Sequence, residues 1–513
     1  MTRANTAGEL NNRSDLRGRY WLTRFVFLRW LGLIYFVAFL SLAQQVRPLI
    51  GAHGLLPAAS YLDRIGERTD RLSAFLALPT IFWADCSDSL LTTLAYVGVG
   101  GSALVLLGFA NVPLLALLWF LYLSFVHVGQ LFWGYGWEIL LLEVGFLAIF
   151  LCPLLDPRPF ADRHATPVAL IWLIRWMLFR LMLGAGLIKW HGDPCWHDLT
   201  CMLHHYETQP LPNPLSWYFH FLPPAVHRFE VLVNHFVELL VPWTLIAPRR
   251  IRQLGGGFFI AFQVLLILSG NLVWLNWLTL ALCIACFDDQ ALAALLPARW
   301  RRRVAQVGRE HSSRPRQVVT FAYVALVAYL SIGPISNLIG SRQIMNGSFD
   351  RLHLVNTYGA FGSVGKQRNE IILEGTSDES PSESSQWLPY EFKCKPGDVT
   401  RRPCVVAPFH YRIDWQIWFA AMEDPRANPW LIHFIYQLLQ GDADALSLLA
   451  VNPFPDRPPR VIRTELYQYE FTKPGDMSGA WWQRRYVGSY FPPLSLDNAA
   501  LRRFIESYGW PTD

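Results

Sequence analysis

The sequence predicts a polytopic α-helical membrane domain of about nine spans, followed by an α+β, sheet-containing soluble domain. Hydrophobic residues make up 52% of the chain and charged residues 16%, against roughly 25% charged in soluble domains. Charge is thin before residue 340 and ordinary after it. Nine apolar runs of about 20 residues fill the first part, each long enough to cross a hydrocarbon core as a helix. The boundaries expected are 1–340 for the membrane domain, with an outer loop at 191–227, and 341–513 for the soluble domain.

The runs lie at 24–44, 88–108, 112–130, 137–153, 167–190, 228–247, 254–269, 271–288 and 317–340. The first is too long, and too poorly followed by a cleavage site, for a secretory signal. Arg3, Arg13, Arg17 and Arg19 precede it, which places the N-terminus in the cytoplasm by the positive-inside rule. Counting from there, PRRIR (248–252) and RWRRRV (299–304) both fall inside, and the C-terminal domain falls outside. These basic clusters flank apolar spans instead of forming a face interleaved with aromatics, so nucleic acid is excluded as a partner and membrane lipid is expected. Only five of the 44 basic residues are lysine, a bias that points to a GC-rich bacterial genome. The expected setting is a bacterial inner membrane, or the endoplasmic reticulum membrane if the host is eukaryotic.

The cysteines fit this map. Cys195 and Cys201 fall in the outer loop, and Cys394 and Cys404 in the outer domain. Each pair is short-range and in an oxidising compartment, so two disulfides are expected, each contributing ~2–3 kcal/mol. Cys283 and Cys286 form a CxxC read as small core residues, and Cys86 and Cys152 as buried packing. His191, His197, His204 and His205 surround the first pair, but C-x5-C with scattered histidines matches no common structural zinc pattern. Neither a metal nor a cofactor is expected.

Polar residues inside the spans are the sharper signal. His127, Glu138, Glu143, Arg180 and Lys189 sit at membrane depth or its outer edge, and Asn234, His235 and Glu238 share one face of the sixth span. Charge there costs at least ~2.5–3.5 kcal/mol, so such groups pair or line a cavity. Glu143, Arg180, Asn234, His235 and Glu238 are expected to form one intramembrane cluster, with Glu143 or Glu238 the counter-ion of Arg180. Two readings stand side by side: ion pairs that set helix register, or a cavity open to the exterior.

From the fifth span runs GLIKWHGDPCWHDLTCMLHHYETQPLPNP (186–214). Later come NTYGAFGS, EFKCKPGD, RRPC, HYR-x-DW, WFAA, DALSLLA, NPF and YFPPLSL. Together these blocks are very similar to the lipase maturation factor family over roughly two thirds of the chain. The resemblance implies a polytopic membrane protein whose soluble part faces the secretory compartment. In animals the family lies in the endoplasmic reticulum membrane and assists folding and dimer assembly of secreted lipases, with its C-terminal domain implicated in lipase contact. A fainter resemblance links GLIKW and a His-bearing span to vitamin K-dependent gamma-glutamyl carboxylase. It implies Lys189 as a base near His127, and the enzyme reading that follows takes His127 or Glu138 as its partner.

In the outer domain, strands are expected at 351–358, 369–375, 389–394 and 461–471, and a helix at 429–450. Ser377–Ser385 reads as an excursion between elements. Tyr358, Phe361, Trp415, Trp418, Trp481 and Trp482 are the aromatic candidates for client binding, since such residues dominate interfaces; core packing is the plainer reading. No GxSxG elbow or Ser-His-acid set is present, so lipase activity of the chain itself is not expected. The leading reading is a membrane-anchored maturation factor for secreted lipases or another secreted enzyme. An integral-membrane enzyme built on Lys189 is the alternative. A transporter would show inverted repeats and broken helices, and neither is visible.

Overall fold

The computed structural model describes residues 16–159, 165–307 and 313–511; Arg3 and Arg13, used above for orientation, lie outside them. All nine apolar runs fall on helical segments: α1 (Trp21–Ile50), α2 (Asp88–Leu107), α3 (Val112–Val128), α4 (Gly136–Leu151), α5 (Val168–His191), α6 (Pro224–His235), α7 (Arg249–Ser269), α8 (Leu275–Cys283) and α9 (Arg314–Leu330). α6 continues through a π turn, Phe236–Leu240, and a 3-10 turn, Val241–Ile246. α10 (Ile332–Ile339) extends α9.

Among the described residues, six segments are long and apolar enough to cross a membrane: α1, α2, α5, α6 with its extension, α7, and α9 with α10. α3 and α4 have 17 and 16 residues, only about 24–26 Å of helix against a core of ~30 Å. Hydropathy counts these short helices as spans. Geometry does not grant them the length.

Helix ends follow the local sequence. Asn111 and Ser87 cap α3 and α2 through their side chains, the roles such residues favour. The first amides of α1 are satisfied from afar, with Trp21 and Leu22 donating to the Asp289 carboxylate at 2.9 and 2.7 Å. Arg249 pairs with Asp288 at 2.6 Å, so the arginine-bearing loops gather at the end of the helices where α1 begins. Twenty residues further along α1, about 30 Å away, Ser41 and Gln45 donate to the His410 carbonyl at 2.8 and 2.7 Å. The C-terminal region therefore caps the opposite end. Between α1 and α2 the backbones approach closely, because a Cβ on Gly98 would stand 2.2 Å from the Phe39 ring. Small residues at such crossings are the usual device of membrane helix pairs.

The C-terminal region adds β1 (Arg368–Thr376), β2 (Leu388–Pro389), β3 (Glu391–Phe392), α11 (Arg412–Ala420), α12 (Pro429–Gln440), β4 (Leu449–Val451), β5 (Val461–Phe471), β6 (Trp482–Ser495) and α13 (Ala499–Ser507). Its main sheet is antiparallel in the order β2-β1-β5-β6, and β3 pairs with β4. β1, in the middle, is buried on both faces, while β6 at the edge is mostly exposed. One continuous hydrophobic core runs from the membrane helices into this region, from Phe27 to Trp510.

Several expectations change here. Residues 351–358 form turns, not a strand: the Asp350 carboxylate accepts from the amides of Leu352, Leu354 and Val355. The strand expected at 389–394 is split into two short pieces. The helix expected at 429–450 stops at Gly441, whose φ of 74° suits glycine. β6 went unpredicted because Gly488, Pro492 and Pro493 argue against a strand. An edge position tolerates them.

Candidate functional site

Three buried carboxylates on membrane helices organise the structure, and each has its own cation. Glu138 of α4 receives Arg412 at 2.7 Å and the Tyr122 hydroxyl. Arg412 also donates to the Phe132 carbonyl at 2.6 Å and lies 4.0 Å from the Trp133 ring centroid. Glu143, one turn and a half further, pairs with Arg180 of α5. Its second oxygen accepts from Asn356 N at 3.0 Å, Asn356 Nδ2 at 3.1 Å and the Tyr358 hydroxyl at 2.6 Å. Arg180 completes the loop by donating to the Asn356 carbonyl at 2.6 Å.

Those two pairs fasten the C-terminal region to the membrane helices. The third does not. Lys189 of α5 meets both oxygens of Glu238 at 2.6 Å, and Asn234 donates to the same carboxylate at 3.0 Å. Trp196 lies over the ammonium, 5.3 Å away at its ring centroid. Glu238 sits in the π turn of α6, a local distortion frequent at functional sites. This pair faces a cavity of about 980 Å³ between α5, α6, α7, α8 and the segment 358–369. That is at the upper end of the ~300–1,000 Å³ typical of small-molecule sites.

The expected single cluster is thus two. Arg180 takes Glu143 as its counter-ion, Lys189 takes Glu238, and His235 contacts the Trp196 carbonyl at 3.1 Å. Lys189, His127 and Glu138 share no partner. His127 has its ring nitrogens 3.0 Å from the carbonyls of Pro79 and Arg351, and neither it nor Glu138 lines the cavity. Among the described residues, Lys189 is not brought together with His127 or Glu138, which corrects that expected grouping. The physical reason is saturation: each of these groups is already held by a nearer one.

Of the six aromatic candidates, Tyr358, Trp415 and Trp482 are buried and cannot present a face to a client in this conformation. Trp482 stacks on Phe471 at 4.2 Å. Tyr358, Phe361, Trp415 and Trp418 line the cavity, whereas Trp481 and Trp482 do not. Cys195–Cys201 and Cys394–Cys404 are paired. Asp414 holds the second disulfide loop by accepting from the amides of Cys394 and Lys395 at 2.6 and 2.9 Å. Cys283 and Cys286 are buried and unpaired. Among the described residues, no group of three His, Cys, Asp or Glu is placed to hold a metal.

Sequence reasoning passed over four positions. Arg412 and His410 stand in HYR-x-DW, where the motif was visible but no role followed. The His410 ring is buried among Tyr135, Trp137, Trp274 and Trp415. Desolvation there, reinforced by Arg412, pushes it well below the usual histidine range. It is neutral, so its 4.0 Å approach to Glu138 is no ion pair. Gln263 and Asn276 are polar residues within apolar runs, and their bond to each other at 2.8 Å joins α7 to α8 beside the cavity.

The loop 191–227 is tied to the sheet region through Arg368, Glu207 and Trp217, whose indole donates to the Thr472 carbonyl at 2.8 Å. Arg368 donates to the carbonyls of Glu207 and Pro210 at 2.9 Å and pairs with Glu370 at 2.6 Å. Glu207 accepts from the Phe471 amide at 2.5 Å. Burial pushes the Glu207 carboxyl up from 4.5 to about 7. Its folded value exceeds its unfolded one, so the native state holds an extra proton between them. That contribution to stability is present at acid pH and lost as pH rises through about 7. Glu207→Gln is expected to remove on the order of 3 kcal/mol of this pH dependence at most. Melting temperatures at pH 5.5 and pH 8 check it: the wild type should lose stability between them, and the variant should lose less.

Residues 22–294 match the model of the lipase maturation factor transmembrane domain, and residues 354–492 that of the lipase maturation factor C-terminal domain. The chain is 49% identical to lipase maturation factor 1 of Mus musculus over 520 residues, covering 96% of this chain and 90% of that one. It is equally similar to the Homo sapiens protein of that name, at 49% over 518 residues, covering 96% and 91%. Lipase maturation factor 2 of Homo sapiens is 30% identical over 613 residues, covering 95% and 85%. No solved structure matches.

Proposed function

The chain belongs to the lipase maturation factor family, and from that premise we propose that it assists the folding or assembly of secreted lipases from the non-cytoplasmic side of a membrane. The observation that carries this reading is similarity across nearly the whole chain, at 49% identity, to proteins named for lipase maturation. The chain is a multi-pass membrane protein, with apolar helices followed by a sheet-containing region. In this reading the C-terminal region and the loop 191–227 face the client, and the arginine-bearing helix ends face the cytoplasm. The latter follows the positive-inside rule. Oxidised cysteine pairs on the sheet-bearing side suit a secretory compartment.

Mechanistically, the client surface has to be sought away from the buried tryptophans. β6 supports one location: it is the sheet edge, and its Tyr486 and Val487 are about half exposed. An exposed edge strand is a template for an incoming strand. A partly folded enzyme presents such strands before its own sheets close.

The test is the specific activity and mass of secreted lipases from cells with and without the gene, with a Cys394→Ser/Cys404→Ser variant as a third arm. Loss of activity per unit of secreted or retained lipase, without loss of lipase transcript, is the expected result. The double variant should fall well below wild type, because opening the disulfide removes ~2–3 kcal/mol from the region that meets the client. Unchanged lipase activity without the gene would refute the proposal.

A further inference from the structure

The cavity beside Lys189 has a lining whose chemistry selects a ligand. Its walls are mostly apolar, with Leu181, Ile188, Val233, Phe262, Leu266 and Leu272 among them. Two of its wall residues, Phe229 on α6 and Leu265 on α7, are 64% and 37% exposed and stand on their helices beside Leu232, Val264 and Leu268, exposed apolar residues that do not line the cavity. The cavity therefore borders, between α6 and α7, an apolar exposed surface of the kind that meets acyl chains. Its occupant comes from the bilayer.

The polar groups narrow the class. Lys189 is neutralised by Glu238, and Arg368 is spent on Glu370 and on loop carbonyls. Asp193 and Glu230 also line the wall. His205 is buried there, and desolvation, with Lys189 beside it, pushes it down to about 4, leaving it neutral. Each charged cation among the described lining residues is thus matched by a carboxylate, which disfavours an anionic headgroup. What is left over is uncharged hydrogen-bonding capacity of both kinds: Asn276 is 4% exposed, and its Oδ1 has no hydrogen-bond partner, nor has Gln343 Oε1, while Trp415 Nε1 and Arg368 Nε are donors without an acceptor. Buried polar groups without a partner are costly, and a hydroxyl both donates and accepts.

We propose that this cavity binds one membrane lipid with an uncharged, hydroxyl-bearing headgroup, an acylglycerol in chemical class. Its acyl chain lies between α6 and α7, and its hydroxyls reach Asn276 and the Lys189–Glu238 pair. The proposal stands on the cavity alone and does not depend on the identity of the client.

The experiment uses the full chain in nanodiscs containing a trace of monoacylglycerol with a diazirine in its acyl chain. After illumination, labelled peptides are mapped by mass spectrometry. Labelling is expected at 229–238, 262–279 and 358–365, and should be competed by unlabelled monoacylglycerol. Ala185, in the cavity wall, offers a way to fill it. Ala185→Phe should lower cavity labelling roughly tenfold and leave labelling of the lipid-facing Leu104 and Leu107 unchanged. Asn276→Leu should weaken competition by about the same factor, the loss of one hydrogen bond. Uniform labelling that unlabelled monoacylglycerol does not displace would overturn the proposal without recourse to any variant. Stronger cavity labelling by the corresponding free fatty acid probe would overturn the headgroup assignment.

Discussion

Replacing Arg412 with methionine is expected to destabilise the protein by about 3–5 kcal/mol, because it leaves Glu138 fully buried without its cation. Glu138 would keep only the Tyr122 hydroxyl. The Phe132 carbonyl would lose its donor, and α11 would lose its main tether to α4. Thermal unfolding of the full chain in detergent, with limited proteolysis, measures the effect. The double variant Arg412→Met/Glu138→Leu should recover much of the loss, since replacing a whole buried pair by apolar groups is often neutral. A single-variant loss below about 1 kcal/mol, the range of a surface pair, would show that this pair is not the tether.

Glu143→Leu is the second large effect. It removes the acceptor for Asn356 N, Asn356 Nδ2 and the Tyr358 hydroxyl, and strips Arg180 of its counter-ion. The cost is again on the order of 3–5 kcal/mol, but the consequence is local to the turns after α10. Hydrogen exchange over 346–362 should accelerate strongly while β1 and β5 keep their protection. Glu143→Gln retains an acceptor and should give an intermediate result. If exchange in β1 and β5 rises equally, the loop and the sheet unfold together and the tether acts on the whole region.

These two pairs bear on the two readings that the sequence left open for its intramembrane charges. Glu138–Arg412 and Glu143–Arg180 hold the C-terminal region to the helices, because Arg412, Asn356 and Tyr358 reach these carboxylates from that region. Lys189–Glu238 differs, because it faces a cavity. A charge in an apolar run announces that a partner exists and says nothing about which one. Glu143 and Glu238 were equally eligible for Arg180, and only the crossing of α4 with α5 decides between them.

The helical runs, the cysteine pairs and the central strands β1 and β5 were legible in residues 1–513, because each rests on local pattern: apolar length, short Cys spacing, alternation between turn residues. Other features were not. β6 carries Pro492 and Pro493 and exists because β5 offers it an edge. The segment 351–358 has strand composition, yet its backbone bonds go to Asp350, Glu143 and Arg180. Tyr358, Trp415 and Trp482 looked like a binding surface and are core. By itself, the sequence determined the kind of molecule this is and the family it resembles, because apolar content and long motifs are properties of the chain read in order. Tertiary structure alone decided which carboxylate serves which cation, which aromatics are hidden, and where a cavity lies. Those are relations between residues such as Glu138 and Arg412, 274 positions apart, and such distances are set only when the helices pack.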